Sequence, residues 1–173
     1  NGARCIARYG HEKGLAGEVQ NIETIAGLVV GYKVTDDMYK IRLNDVTTME
    51  DMTVEVLGKE YPCVYVELGD PGIPHAAVRI EGLAEIEAKD LHELGAALRK
   101  CKSFPKGANV NFYDIVGNDE LVELTYERGV EDFTLACGTG TGSVVASLTK
   151  KGLVSGKDVK VNVPGGELYI TLS

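Results

Sequence analysis

The chain has 173 residues, of which 44% are apolar and 25% are charged, and this ordinary globular balance argues against a disordered chain. Its 18 basic and 26 acidic side chains give a net charge of −8, which argues against a nucleic-acid partner because a phosphate backbone needs a basic face. The longest apolar runs, such as residues 27–30, are far too short to span a bilayer. The sequence also lacks a basic amphipathic stretch that would bind a membrane surface. We therefore expect neither nucleic acid nor a membrane as a partner.

The sequence of the first 51 residues predicts one helix, three strands and a linker. A short helix is predicted over residues 3–13, with Gly14 as its stop. Strands are predicted over residues 21–26, 28–34 and 38–43, the last with clean alternation of apolar and polar residues. Residues 44–51 lack apolar periodicity, so we predict a linker or domain crossing there.

The remainder of the chain predicts more paired strands and two helices. The strand pairs are 52–57 with 61–68, 109–116 with 121–126, and 159–163 with 168–172. One helix is predicted from Asp90, whose spacing to Glu93 is typical of a capping box, and another from the glycine-rich residues 138–142 to residues 150–152. Without a regular alternation of strands and helices, these elements predict an α+β fold dominated by antiparallel strands.

The number and spacing of the cysteines and histidines predict free thiols and argue against a metal site. The four cysteines are Cys5, Cys63, Cys101 and Cys137, and the three histidines are scattered. No Cys-x-x-Cys pair occurs, which argues against structural zinc. The chain begins without Met and without the apolar segment of a signal peptide. We therefore expect a processed chain, a domain or a fragment, located in the reducing cytoplasm.

The most informative segment places Cys137 directly before the glycine-rich residues 138–142, where a helix is predicted to begin. Unpaired N–H groups and the helix dipole would stabilise a thiolate there, so the pKa of the thiol should fall below about 8.5. The same N–H groups could hold a carboxylate, and a thiolate beside a carboxylate suits proton transfer at the adjacent carbon. The alternative is that Cys137 is a small buried apolar residue at a helix cap.

Other motifs are less specific. The glycines fit neither a Walker loop, which needs Gly-Lys before Ser or Thr, nor the Gly-x-Gly-x-x-Gly dinucleotide fingerprint. His75 follows a rigid turn, where a lone histidine is more often structural than catalytic. Asn109 and Asn111 share one strand face and would normally be solvated edge residues, and Glu127 with Arg128 would normally be a surface charge pair.

Taken together, four segments in the same order resemble the diaminopimelate epimerase family, whose members invert an amino-acid α-carbon with two cysteines. They are Asn-Gly-Ala-Arg-Cys from Asn1, Gly-Ile-Pro-His ending at His75, Asn-Val-Asn-Phe from Asn109, and Glu-Arg-Gly from Glu127 through Ala-Cys-Gly-Thr-Gly. The resemblance implies antiparallel strands wrapped around a central helix in each of two pseudosymmetric halves. Residues 1–44 would end the N-terminal half, which is incomplete here, and residues 45–173 would form the C-terminal half.

The resemblance also implies roles for individual residues. Cys137 would be the second catalytic cysteine, and the first would lie two positions before Asn1, so the chain alone should be inactive. His75 and Glu127 would tune the pKa values of the thiols. The substrate-binding residues would be Asn1 and Gly2 in a first carboxylate site, Gly138 and Thr139 in a second, and Asn109 and Arg128 at the far end of the substrate. Glu127 would border both the substrate and the base.

The implied activity is epimerisation of LL- to meso-diaminopimelate, in lysine and cell-wall precursor biosynthesis, without cofactor or metal. The family's usual Asn before Pro-His is Ile73 here, and an apolar residue cannot hydrogen-bond the distal groups of that substrate. One alternative is therefore a racemase for another amino acid such as histidine, and another is a non-catalytic amino-acid-binding module. The expected partner is a small amino-acid substrate, and a homodimer is left open.

Overall fold

A computed structural model of the chain describes residues 2–24 and 27–173. The chain divides into two compact units, residues 1–45 and 46–173, and each is described by itself below. Asn1 and the last two residues of the predicted strand 21–26 lie outside the described residues. None of the helices described is long and apolar enough to cross a membrane.

The first unit packs one helix on a three-stranded antiparallel sheet. Helix α1 (Gly2–Glu12) precedes strands β1 (Val19–Thr24), β2 (Gly27–Lys33) and β3 (Tyr39–Ile41), which lie in the order β1-β2-β3. The predicted helix and strands are confirmed, with ends that differ by a few residues.

Helix α1 approaches β2 closely through small residues. The Ala7 side chain is fully buried, and a Cβ at Gly31 would lie 3.0 Å from the Cβ of Ala7. The buried Gln20 amide donates a 2.6 Å hydrogen bond to the Ala7 carbonyl. Glycine at position 31 therefore lets the helix and the sheet meet.

The second unit is built on an eight-stranded sheet. Its strands are β4 (Val46–Val56), β5 (Lys59–Leu68), β6 (Ile73–Arg79), β7 (Asn109–Gly117), β8 (Glu120–Glu127), β9 (Asp132–Thr134), β10 (Val159–Val163) and β11 (Gly166–Ile170). Their order is β11-β10-β8-β7-β6-β5-β4, and β9 also pairs with β8. The sheet is mostly antiparallel, with parallel pairs between β6 and β7 and between β8 and β10. This α+β architecture confirms the predicted fold class.

The predicted linker over residues 44–51 is wrong from residue 46 onward, because strand β4 begins at Val46. β4 lies at the edge of the sheet and pairs antiparallel with β5 along its length. Most of its first residues are exposed or half-buried, and a strand held by ladder hydrogen bonds at an edge needs no apolar pattern.

The second unit contains four helical segments. The 3₁₀ turns at Leu83–Glu85 and Ala88–Leu91 lead into α2 (His92–Arg99), and α3 (Gly138–Lys150) follows β9. The predicted capping box at Asp90 is wrong, because Leu91 is the N-cap residue of α2 and makes no side-chain capping bond. The chain enters α2 directly from the preceding 3₁₀ turn, which takes the place of a capped start.

The two faces of the sheet carry separate clusters of buried residues. Since side chains alternate along a strand, Val110 and Phe112 of β7 join the cluster that contains the apolar residues of α2, whereas Tyr113 joins the one that contains Val144 and Leu148 of α3. Helix α3 is buried from Gly140 to Leu148, and so it forms the central helix of this unit. Its N-terminal end lies over the polar side chains described next.

Candidate active site at the start of helix α3

Cys137 is the N-cap residue of α3 and has an extended backbone, with φ −128° and ψ 100°. Its carbonyl accepts the first helical hydrogen bond, from the Thr141 N–H at 2.9 Å. Its sulfur makes no capping hydrogen bond with the N–H groups of the first turn and lies 3.7 Å from Thr139 Oγ1. The N–H groups of a first helical turn have no partner within the helix, so those of Gly138 and Thr139 are placed to receive an anion.

Alternate residues of β6, β7 and β8 face this helix end. The strand register pairs His75 with Asn109 and Asn111 with Thr125. His75, Asn111 and Glu123 are all 0% exposed. The two asparagines lie on a central strand rather than at a solvated edge, because β7 lies between β6 and β8.

His75 connects Thr139 to the strands beneath it. Its Nε2 lies 3.1 Å from Thr139 Oγ1, and its Nδ1 lies 2.9 Å from Asn111 Oδ1. Burial lowers the pKa of His75 to about 4, an effect that the hydrogen bond to Asn111 opposes and the Arg128 charge adds to. The imidazole is therefore neutral near pH 7, with one nitrogen as donor and the other as acceptor.

Asn111 leads from His75 to a buried carboxylate. Its Nδ2 donates to Glu123 Oε1 at 2.9 Å and to Thr125 Oγ1 at 2.8 Å, so its Oδ1 accepts the proton of His75 Nδ1. The other carboxylate oxygen, Glu123 Oε2, accepts from Thr141 Oγ1 at 2.5 Å. Burial raises the pKa of Glu123 to about 7, although these hydrogen bonds lower it.

Sequence reasoning missed Glu123, Thr125 and Thr141, and it gave Asn111 no role. A signal was available, because Glu123 and Thr125 occupy alternate positions of the predicted strand 121–126, which pairs with the strand that carries two alternate asparagines. Polar residues at that spacing share one face of a sheet. That face could have been recognised as buried only from the position of α3.

The prediction that the pKa of Cys137 falls below its ordinary value is wrong for this chain. Burial raises the pKa of the thiol to about 11, and the nearby Glu127 and Glu123 carboxylates add to the rise. The Gly140 N–H and the Thr139 hydroxyl both lower the pKa, but their effect does not offset the loss of water around the sulfur. Cys137 therefore keeps its proton at neutral pH in this structure.

Glu127, Arg128 and Asn109 lie together at the end of β8 and the beginning of β7. Thr134 Oγ1 donates to Glu127 Oε1 at 2.6 Å, which holds that carboxylate in place. The Arg128 N–H donates to Asn109 Oδ1 at 2.8 Å, and Asn109 Nδ2 donates to the Pro74 carbonyl at 3.1 Å. The Arg128 guanidinium is exposed and donates to a loop carbonyl.

Two further predicted substrate-binding residues precede the second unit in the chain. Asn1 lies outside the described residues, and Gly2 begins α1 in the first unit. Cys5, Cys63, Cys101 and Cys137 are all free, as predicted. Across residues 2–24 and 27–173, no group of three or more His, Cys, Asp or Glu residues could hold a metal ion.

A family model described as "Diaminopimelate epimerase" matches residues 68–173, which include His75, Asn109, Glu127, Arg128 and Cys137. The chain belongs to the diaminopimelate epimerase family. It is 38% identical over 175 residues to the diaminopimelate epimerase of Aquifex aeolicus, covering 97% of this chain and 59% of that protein. It is 36% identical over 185 residues to the diaminopimelate epimerase of Archaeoglobus fulgidus, covering 100% of this chain and 63% of that protein. This member of the family thus spans about three fifths of the length of these relatives.

A solved structure supports the same fold. This chain is similar to the crystal structure of a probable proline racemase from Agrobacterium radiobacter K84 with bound carbonate. The TM-score is 0.70 and the sequence identity is 21%. The likeness covers 95% of this chain and 56% of that one. It confirms the predicted epimerase-like fold.

Proposed function

We propose that this chain supplies one half of the active site of a two-base amino-acid epimerase, with Cys137 facing one side of the substrate α-carbon. The observation that carries the proposal is the position of the Cys137 sulfur, which lies at the N-cap of α3, 3.7 Å from Thr139 Oγ1. The second base is the cysteine that the family resemblance places before Asn1. The chain alone is therefore expected to be inactive.

The raised pKa of Cys137 suits the proton-donating member of the pair. In one direction the opposite cysteine, as a thiolate, takes the α-proton from one face of the substrate, and the Cys137 thiol gives its own proton to the other face. The first sulfur ends as a thiol and Cys137 as a thiolate, and the reverse direction restores both. This chemistry uses the two thiols and neither a cofactor nor a metal.

The charge that develops when the α-proton leaves spreads into the substrate carboxylate. The N–H groups of Gly138 and Thr139 are placed to bind that carboxylate at the positive end of the α3 dipole. Since Cys137 is the N-cap residue of the same helix, the reacting carbon would lie next to the sulfur. Asn1 and Gly2 are proposed for the matching site of the other half.

LL- and meso-diaminopimelate are the substrates we propose, and Glu127, Arg128 and Asn109 would bind their distal end. The second candidate, a racemase for another amino acid such as histidine, is favoured by Ile73, which is half-buried at the first position of β6. A single variant separates the two. If diaminopimelate is the poorer substrate because of Ile73, Ile73→Asn raises its kcat/KM relative to histidine.

Deuterium exchange tests the proposed reaction. Protein that contains this chain and the remaining two fifths of the family length is incubated with LL-diaminopimelate in deuterated water, and deuterium at the α-position is measured by mass spectrometry. We expect exchange, and we expect Cys137→Ala to reduce it by about 10²- to 10⁴-fold, the usual contribution of a general acid or base.

Cys63→Ala is the matched control, because Cys63 is also buried and burial likewise raises its pKa to about 11, yet it packs in the cluster that contains the α2 residues. Exchange should survive this change. Tight amino-acid binding without exchange would favour the non-catalytic binding module instead.

We also propose a cytoplasmic location. Whether the protein forms a homodimer is a question for a measurement of its mass in solution.

A further inference from the structure

The Cys137–Glu123 path is a continuous line of hydrogen bonds from the candidate catalytic sulfur into the core. It consists of Cys137, Thr139, His75, Asn111 and Glu123. Its successive heavy-atom distances are 3.7, 3.1, 2.9 and 2.9 Å. Its inner three side chains are fully buried, so bulk water does not replace any of these bonds.

With an ionised Glu123, every hydrogen bond in the path points towards the carboxylate, because a carboxylate only accepts. Asn111 then donates to Glu123 and accepts from His75 Nδ1. His75 Nε2 consequently accepts from Thr139, whose Oγ1 is left to accept the proton of the Cys137 thiol. The direction is fixed at Asn111, whose Nδ2 donates to Glu123, and the roles of His75, Thr139 and Cys137 follow from it.

A thiolate at Cys137 needs the opposite direction. The Thr139 hydroxyl must donate to the negative sulfur, so His75 must donate from Nε2 and accept at Nδ1. The Asn111 amide must then be turned over, so that its oxygen accepts from a protonated Glu123. Both arrangements hold one negative charge. The first pairs the oxygen and both amide protons of Asn111, whereas the turned amide of the second pairs one N–H with His75 Nδ1 and leaves the other without an acceptor.

We propose that Glu123 is a positioning residue that sets the direction of the Cys137–Glu123 path, so that a protonated Glu123 supports the Cys137 thiolate and an ionised Glu123 supports the thiol. The proposal deepens the function proposed above, on which its catalytic meaning rests. The charged groups acting on the path from nearby positions are Glu127, which raises the pKa of Cys137, and Arg128, which lowers the pKa of His75.

Glu123→Gln is the informative variant because it removes the charge that fixes the direction of the path and keeps the shape of the side chain. A Gln nitrogen at the position of Oε1 would donate to a turned Asn111 amide, and its oxygen at the position of Oε2 would accept from Thr141. In the opposite orientation the nitrogen would face the Thr141 hydroxyl, which would have to turn its proton to the Cys137 carbonyl. The variant should therefore fold and hold the path in the direction of the protonated state.

The tautomer of His75 is the first readout. Two-bond ¹H–¹⁵N spectra of this chain identify the protonated imidazole nitrogen, with His11 and His92 as internal references. We expect Nδ1–H in the wild type at pH 8.5 and Nε2–H in Glu123→Gln. The same change should occur in the wild type as the pH is lowered past the Glu123 midpoint, which provides a measurement without any substitution.

The reactivity of Cys137 is the second readout, measured as its alkylation rate by peptide mass spectrometry with the exposed Cys5 as reference. We expect a rise of about tenfold at pH 8 in Glu123→Gln, which corresponds to one pKa unit. Glu127→Gln is the matched control. Glu127 acts on the sulfur by charge more strongly than Glu123 does, but it lies outside the path.

A larger rise in Glu123→Gln than in Glu127→Gln, with a changed His75 tautomer in the former alone, supports the proposal. It is overturned if His75 keeps Nδ1–H in Glu123→Gln, or if the Cys137 rate rises there no more than in Glu127→Gln. Neither readout uses a substrate, so failure of the epimerase proposal would not be confused with failure of this one.

Discussion

Near the start of α3, the two faces of the β7–β8 pair have opposite chemistry, although their residues alternate along the same two strands. Towards α2, Val110, Phe112 and Tyr126 join an apolar cluster. Towards the start of α3, Asn111 and Glu123 are equally buried but polar. One face gains free energy by removing apolar surface from water, whereas the other must recover the cost of burying polar groups through hydrogen bonds.

The polar face meets that cost through complete pairing. Asn111 uses its oxygen and both amide protons, and both oxygens of Glu123 accept hydrogen bonds. Among the described residues, the buried side-chain polar atom without a partner is Oε2 of Glu131, which lies elsewhere. Neighbouring residues of the same strand therefore serve different purposes. Val110 and Phe112 stabilise the fold, and Asn111 between them belongs to the candidate site.

The largest effect that tests this division is expected on the apolar face. Phe112→Ala should reduce the free energy of unfolding by about 3–5 kcal/mol, because Phe112 is fully buried and its loss leaves a cavity. Val116→Ala on the same strand is the control, since Val116 is 49% exposed and should cost less than about 0.5 kcal/mol. Urea unfolding monitored by circular dichroism measures both. Equal losses would contradict the assignment of the core to this face.

The pH dependence of stability tests the polar face. Burial raises the pKa of Glu123 from 4.5 to about 7, so between these values the folded protein holds a proton that the unfolded chain has lost. Glu123 therefore stabilises the fold least at high pH. The pKa of His75 is lowered from 6.5 to about 4, so its contribution is lost as the pH falls, and the two slopes oppose each other between pH 4.5 and 6.5.

Comparison with Glu123→Gln isolates the Glu123 contribution, because His75 is present in both proteins. The stability of the variant relative to the wild type should increase by about 3 kcal/mol from pH 4.5 to pH 7.5. Urea unfolding at a series of pH values measures this difference. A difference that does not change with pH would mean that Glu123 titrates normally and is not buried as described.

The sequence was sufficient to predict the start of α3 and the position of Cys137, because a glycine-rich run after a cysteine has a local structural meaning. The sign of the Cys137 pKa shift could not be predicted, since it depends on burial by strands distant in sequence and on Glu127 and Glu123. Only the first six residues of strand β4, residues 46–51, were missed, for a related reason. Their pairing with β5, rather than their own pattern, makes them part of the strand.

The role of Asn111 shows the same limit. An Asn-x-Asn pair on a strand has the same pattern whether it lies at an edge or at the centre of a sheet. Only the parallel pairing of β6 with β7 makes β7 central and brings Asn111 beside His75. The family resemblance assigned roles only to residues inside the matched motifs. Glu123 lies outside those motifs, so the resemblance gave it no role.

The smallest of these effects concerns the contact between the polar face and α3. A Cβ on Gly140 would lie 2.1 Å from Asn111 Nδ2, whereas a Cβ on Gly138 would meet nothing within 4 Å. Gly140→Ala must therefore displace an amide that His75 and Glu123 hold from two sides.

We expect Gly140→Ala to cost about 1–3 kcal/mol, as overpacking of a filled core usually does, and to shift the ¹⁵N signals of His75. Gly138→Ala on the same helical turn should be neutral or stabilising by less than about 1 kcal/mol, because alanine favours a helix more than glycine does. Urea unfolding of the pair gives the difference directly. If both variants were equally stable, Asn111 would be free to move, and the polar face would be a loose arrangement rather than a fixed one.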